Sequence, residues 1–152
     1  MIVAFDPGET TGWARLDPVS LEFRSGQLPW YSAWYWFNDT LSANPAYIQQ
    51  VVCEDFIYTA ETAKKSRQTW STEGIGVVRF LCQYYGLPLT IQSPSSAKSF
   101  ATDKKLKRIG WYTPTKGGHA NDAARHLMVF AVSNGVLPLE RFRPEEEENA
   151  ND

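Results

Sequence analysis

Three acids and one histidine stand where side chains could do chemistry. Asp6 closes the apolar run Ile2-Val3-Ala4-Phe5 and precedes Pro7-Gly8. Glu54 interrupts Val51-Val52-Cys53, a run that otherwise reads as simply buried. Asp122 lies in Gly117-Gly118-His119-Ala120-Asn121-Asp122-Ala123-Ala124, at the start of an apolar helix whose small residues permit close packing. His119 is spaced i, i+3 from Asp122, so both side chains can point the same way. A carboxylate buried at a strand end is costly unless it is paired or bound to a metal. Several converging acids repel one another, and hard oxygen donors without sulfur suit Mg²⁺ or Mn²⁺. Two such ions ~3.5–4 Å apart activate a water and stabilise a leaving oxygen in phosphodiester hydrolysis. Each residue also has a plainer reading. Asp6 suits a turn, Glu54 a sheet-edge ion pair, and Asp122 the positive end of a helix dipole.

The elements that must position these groups follow from pattern. Apolar runs bounded by turn residues predict strands at 2–5, 12–16, 21–26, 48–54 and 87–92, with the first three as an antiparallel meander turning at Asp17-Pro18. A helix begun by Pro29 is expected to reach residue 41, with Trp30, Trp34 and Phe37 on one face by their 3–4 spacing. Packing on the sheet is the plain reading of these rings, and base stacking the alternative. Residues 68–85 place Ile75, Val78, Cys82 and Tyr85 on one helical face despite Gly74 and Gly76, and Gly86 ends that helix. Ser93-Pro94-Ser95 signals a helix start before a short helix at 97–100, and Thr102-Asp103 caps another through 109. A final helix runs from about His119 to Asn134 and stops at Gly135. The order implies an α/β domain, a mixed sheet with helices on its faces.

The chain of 152 residues is long enough for one ordinary domain with a sizeable core. At 43% hydrophobic and 21% charged it is neither disordered nor membrane-like in composition. The N-terminus reaches an acid within six residues with no basic lead-in, unlike a signal peptide. Cys53 and Cys82 sit in apolar runs without metal-ligand spacing and read as buried free thiols of a reducing cytosol. The net charge of −2 conceals an uneven distribution. Residues 144–152 hold Glu145, Glu146, Glu147, Glu148 and Asp152 without a base, an acidic tail expected to be disordered beyond a domain at 1–143. Within 95–125, Lys98, Lys104, Lys105, Lys107, Arg108, Lys116 and Arg125 face only Asp103 and Asp122. Such a cluster is either a solvated helix face or a phosphate-backbone surface.

Taken in order, these motifs resemble a family. Ile2 through Ala14, with its apolar strand, Asp6-Pro7-Gly8, Gly12 and second strand, resembles the opening of RuvC-like Holliday-junction resolvases of the RNase H-like superfamily. Val52-Cys53-Glu54-Asp55-Phe56 is similar to their second acidic strand. Arg67 through Gly74 falls at their long helix with its small-residue segment, and Ser93-Pro94 with Lys98 at their Pro-to-Lys segment. His119-Ala120-Asn121-Asp122-Ala123-Ala124 resembles their closing acid/His-x-x-Asp-Ala motif. The position three residues after the second acid, often an aromatic wedge in the family, is Ile57 between Phe56 and Tyr58.

The resemblance implies an RNase H-like mixed five-stranded sheet with helices on both faces. It also implies a metal-dependent endonuclease that cuts four-way DNA junctions as a homodimer, without a membrane, in the cytoplasm of a bacterium or of a phage's host. Carried over, Asp6, Glu54 and Asp122 are metal ligands for Mg²⁺ (or Mn²⁺). His119 takes the fourth catalytic position, where it helps to position or activate water, or binds metal as a neutral imidazole. Lys98, Lys104, Lys105, Lys107 and Arg108 become DNA phosphate contacts. The alternatives are a broader flap or fork nuclease and a non-catalytic DNA-binding module on the same fold. More remotely, the Asp6-to-Gly12 turn is like the phosphate hairpin of actin-like and sugar-kinase ATPases.

Overall fold

The structure is a computed structural model and describes residues 1–59 and 69–142. The acidic segment 144–152, and Arg67 and Gln68 of the long-helix motif, lie outside the described residues. In chain order the elements are β1 (Ile2–Asp6), β2 (Thr10–Leu16), β3 (Phe23–Pro29), α1 (Trp30–Ala43), β4 (Gln50–Glu54), α2 (Trp70–Tyr85), β5 (Leu89–Gln92), α3 (Pro94–Phe100), α4 (Asp103–Arg108) and α5 (His119–Ser133). Short 3₁₀ turns occupy Pro45–Tyr47 and Leu139–Phe142. The strands form one mixed sheet in the order β3-β2-β1-β4-β5. The meander β1–β2–β3 is antiparallel, whereas β4 and β5 join it in parallel with β1. The expected five-stranded sheet with helices on both faces is therefore the architecture found.

The boundaries differ in small ways with physical causes. Pro29 ends β3 and caps α1 rather than opening it, since its extended backbone (φ −54°, ψ 148°) lies outside the helical region. Helix α3 begins earlier than the short helix expected at 97–100, because Pro94, with no N–H to lose, occupies its first turn. Helix α4 is capped as expected, with the Thr102 hydroxyl accepting from the Lys105 N–H.

Strand alternation sorts the core into two layers. On one face, Ile2, Ala4, Ala14, Leu16 and Val52 pack against Ala123, Ala124, Leu127, Met128 and Ala131 of α5, with Leu106 of α4 and Trp111 closing the edge. On the other, Val3, Phe5, Val51 and Cys53 pack against Ala33, Trp34, Phe37 and Leu41 of α1 and Ile75, Val78 and Cys82 of α2. Phe37 is fully buried, and its ring meets Phe5 edge-on at 4.9 Å between centroids. Both cysteines are buried and unlinked. Burial lifts the Cys53 thiol well above its ordinary range and that of Cys82 to about 11.

Two glycines set how closely the layers approach. A Cβ on Gly74 would stand 2.8 Å from the Trp34 ring and 2.9 Å from Pro7, so its absence lets α2 press onto α1 and the β1–β2 turn. A Cβ on Gly12 would lie 1.9 Å from the carbonyl oxygen of His119, the first residue of α5. Backbone cannot yield as a side-chain tip can. Gly12→Ala should therefore push the start of α5 off the sheet, at a cost of about 1–3 kcal/mol by analogy with overpacked cores. Thermal melting should show a Tm lower by several degrees, and an unchanged Tm would show that the helix start yields freely.

Candidate active site

The site is assembled by the sheet's alternation and by one helix laid across it. Asp6 follows Ile2 and Ala4 in parity, and Glu54 follows Val52, so both carboxylates emerge on the α5 side. Their strands are parallel neighbours, and each acid comes directly after the last registered pair, Phe5↔Cys53. Helix α5 starts above Gly12, the register partner of Asp6 on β2. Its buried small residues Ala120, Ala123 and Ala124 let it lie close to the strands. Residues 119, 122 and 126 recur at the 3–4 spacing that puts them on one helical face.

Each acid meets a base. His119 Nδ1 lies 2.9 Å from Asp6 Oδ2. Glu54 Oε2 is 2.7 Å from Nε2 of His126, whose other ring nitrogen is 2.9 Å from Gln92 Oε1. Asp122 Oδ1 accepts from the Arg125 guanidinium, which also pairs with Asp103 and donates from Nε to the Ala101 carbonyl at 3.1 Å. Lys98 Nζ stands 3.7 Å from the second Asp122 oxygen. Among the described residues, no three His, Cys, Asp or Glu side chains form a ready ion-binding group. The four residues expected to act together are thus neighbours held in separate pairs. Like charges repel, and protein cations and N–H groups lie within reach of every acid.

Their proximity is nevertheless felt electrostatically. Burial raises the Asp6 carboxyl to about 6, with the negative charges of Glu54 and Asp122 adding to the effect and the His119 hydrogen bond opposing it. His119 is raised in turn, chiefly by the hydrogen bond from its ring to Asp6, against the pull of its partial burial.

Beside Asp122 lies an open cleft of about 530 Å³ lined by Lys98, Asp103, Tyr112, Gly118, Asn121 and Arg125, among others. Its far wall is the 111–118 loop. The Asn121 side chain accepts from the Thr113 N–H at 2.9 Å and donates to the Thr113 carbonyl at 2.8 Å. Ser25 and Gln27 of β3 bind Thr113 and the Lys116 carbonyl from the other side. The expected DNA contacts divide. Lys98, Lys104, Lys107 and Arg108 project from α3 and α4 with exposed surface. Lys105 is half-buried: its Nζ donates to the Phe100 carbonyl at 2.8 Å and sits 4.1 Å from the Phe100 ring centroid. Lys107 lies over the Tyr112 ring.

Two residues of this cluster, Arg125 and His126, escape a reading by motif. Arg125 registers there only as local positive charge, and His126 as one position in an apolar helix. The signal that could have found His126 is its place seven residues after His119 and four after Asp122. A direct check concerns His119. In metal-free protein its imidazole should titrate above 6.5 by NMR, and Asp6→Asn should bring it down. The folded state holds this proton more tightly, so the stability linked to His119 protonation is full below its unfolded value and is lost as pH rises through the folded one. A titration unmoved by Asp6→Asn would remove the pair from the site.

No protein-family model and no curated protein matches the sequence. Among solved structures the chain is similar to Thermus thermophilus RuvC in complex with a Holliday junction substrate, at 16% identity and a TM-score of 0.57, with 89% of this chain and 96% of that one covered. A second T. thermophilus RuvC structure aligns with the same figures. Fowlpox virus resolvase in complex with Holliday junction DNA aligns at 15% identity over 90% and 99% of the two chains, with a TM-score of 0.47. Five strands in this order, with α5 over the two acidic strand ends, give the chain the RuvC-like form of the RNase H-like fold.

Proposed function

We propose that this chain is a divalent-metal-dependent endonuclease of branched DNA, with the four-way junction as its substrate. The observation that carries the reading is Asp6. Its carboxyl is buried at a strand end within the negative fields of Glu54 and Asp122, a costly arrangement that a bound cation relieves. The donor set fits such an ion in kind, with three carboxylates and an imidazole and no thiolate on the same face of the sheet. Asp6, Glu54 and Asp122 would hold Mg²⁺ or Mn²⁺, Asp6 and Glu54 through the carboxylate oxygens that His119 and His126 do not engage. The metal would supply an activated water and stabilise the leaving oxygen.

The protein's own groups supply the rest. His119, hydrogen-bonded to Asp6 at Nδ1, positions or deprotonates the attacking water from the edge of the site. Lys98 and Arg125 put positive charge on the cleft wall where a phosphate would lie. Lys104, Lys107 and Arg108 extend that charge along α4 as backbone contacts, and Lys105 contributes mainly by bracing Phe100. Ile57 and Tyr58, 48% and 65% exposed just past Glu54, would be the side chains to touch bases at a branch point. The decisive experiment is cleavage of a labelled four-way junction with Mg²⁺ or Mn²⁺, beside flap and fork substrates. Wild type should cut the junction best, and Asp6→Asn should lose at least about 100-fold, as loss of a central catalytic electrostatic group does. Full metal-dependent cutting by Asp6→Asn would overturn the assignment. Tight junction binding without cleavage under either metal would favour the DNA-binding module, a reading in keeping with acids already paired to bases.

The homodimer belongs to the same proposal, with a second copy covering the α1/α2 face. There an apolar groove of about 330 Å³ runs between the helices, lined by Trp30, Tyr31, Trp34, Tyr35, Phe80 and Leu81, among others. Tyr31, Tyr35, Phe80 and Tyr84 are 63–71% exposed. With roughly 150–250 Å² per aromatic side chain, these four present on the order of 500 Å². That is most of the ~800 Å² per partner in a standard interface. Tyr35→Lys with Phe80→Glu should give a monomer by sedimentation at concentrations where wild type is dimeric. A wild-type monomer, or a variant that stays dimeric, would refute this face.

A further inference from the structure

We infer that His126 is a positioning residue that aims the Glu54 carboxylate; the inference rests on the nuclease reading above. The imidazole is 1% exposed and lies among Ala123, Leu127 and Met128, where an apolar side chain would pack at no desolvation cost. Its ring nitrogens reach two different strands. Nε2 lies 2.7 Å from Glu54 Oε2, and Nδ1 lies 2.9 Å from Gln92 Oε1. Glu54 and Gln92 are register partners at the ends of the parallel strands β4 and β5. The ring therefore sits over one rung of the sheet and grips both members of it.

The geometry assigns the direction of the first bond. A carboxylate can only accept, so Nε2 carries the hydrogen that goes to Glu54. Gln92 offers an amide that can turn to match whichever role Nδ1 takes, which holds the ring plane in place. Glu54 has three side-chain torsions, and a free carboxylate at a strand end samples several of them. Capturing Oε2 selects one and ties the acid of β4 to the helix that also carries Asp122 and His119. Groups on three elements are thereby kept in one relative position, as hydrogen bonds behind metal ligands generally do.

Three variants test this in the 152-residue chain, with Mn²⁺ alone as the metal probe and a labelled four-way junction as substrate. His126→Leu removes the donor, and His126→Gln restores an N–H near the position of Nε2. His126→Asn keeps a polar group that is too short to reach Glu54. The leucine and asparagine variants should lose about 10–100-fold in Mn²⁺ affinity by titration and a similar factor in kcat. KM for the junction should stay as in wild type, and glutamine should recover most of both losses. Each variant is checked by melting and by the His119 NMR signal. Should leucine fail to fold, asparagine carries the comparison with glutamine. Folded leucine or asparagine variants with wild-type Mn²⁺ affinity and kcat would make His126 a core residue and overturn the inference, leaving the nuclease reading intact. Glutamine no better than asparagine would also overturn it. A wild-type protein that neither binds Mn²⁺ nor cuts would overturn the nuclease reading itself and the inference with it.

Discussion

Like charge brought together at the ends of two adjacent parallel strands is the constraint around which this molecule is organised. Asp6 and Glu54 leave the sheet on one face, and Asp122 comes down onto them from α5. Carboxylates so placed repel one another and lose hydration, and burial leaves Asp6 with a strong hold on its proton. The fold answers with bases drawn from a single helix. His119, Arg125 and His126 all belong to α5, and each meets a different acid. One element thus brings both an acid of the cluster and the groups that offset the cluster's charge.

That arrangement works only if α5 lies close to the strands. Its sheet-facing positions are largely alanine, and its first residue rests on Gly12, where a methyl group would collide with the His119 backbone. In the opposite layer Phe5, Trp34 and Phe37 fill the space beneath α1, while on the α5 side the aromatic pair Phe23–Trp111 stacks at 4.3 Å between centroids. Both faces carry large apolar residues, and small ones gather where α5 crosses the strand ends so that polar groups can meet.

Much of this was legible in the sequence because it depends on local pattern. The strand order along the chain, the acid closing β1, the acid interrupting β4 and the Gly-Gly stop before α5 follow from period and turn chemistry. Strand parity even places Asp6 and Glu54 on one face once their strands are neighbours. Partner choice was less accessible. His126 lies in Ala123-Ala124-Arg125-His126-Leu127-Met128, and its helical spacing from His119 and Asp122 does not by itself distinguish a histidine reaching across to β4 and β5 from one filling space in a core. Arg125 is equally opaque, since its bond to Asp103 spans 22 residues and depends on how α4 docks. Lys105 shows the reverse case, a residue that reads as free surface charge but folds back on the Phe100 carbonyl and ring.

Cys53 immediately precedes Glu54, yet the pleat sends its sulfur into the opposite layer among Val3, Phe5 and Val51. Burial there also opposes loss of its proton. The carboxylate cluster is therefore furnished with oxygen and imidazole nitrogen alone, and the nearest thiol lies across the sheet's backbone. A one-residue step along the strand thus sets a soft sulfur and a hard oxygen donor on opposite sides of the sheet.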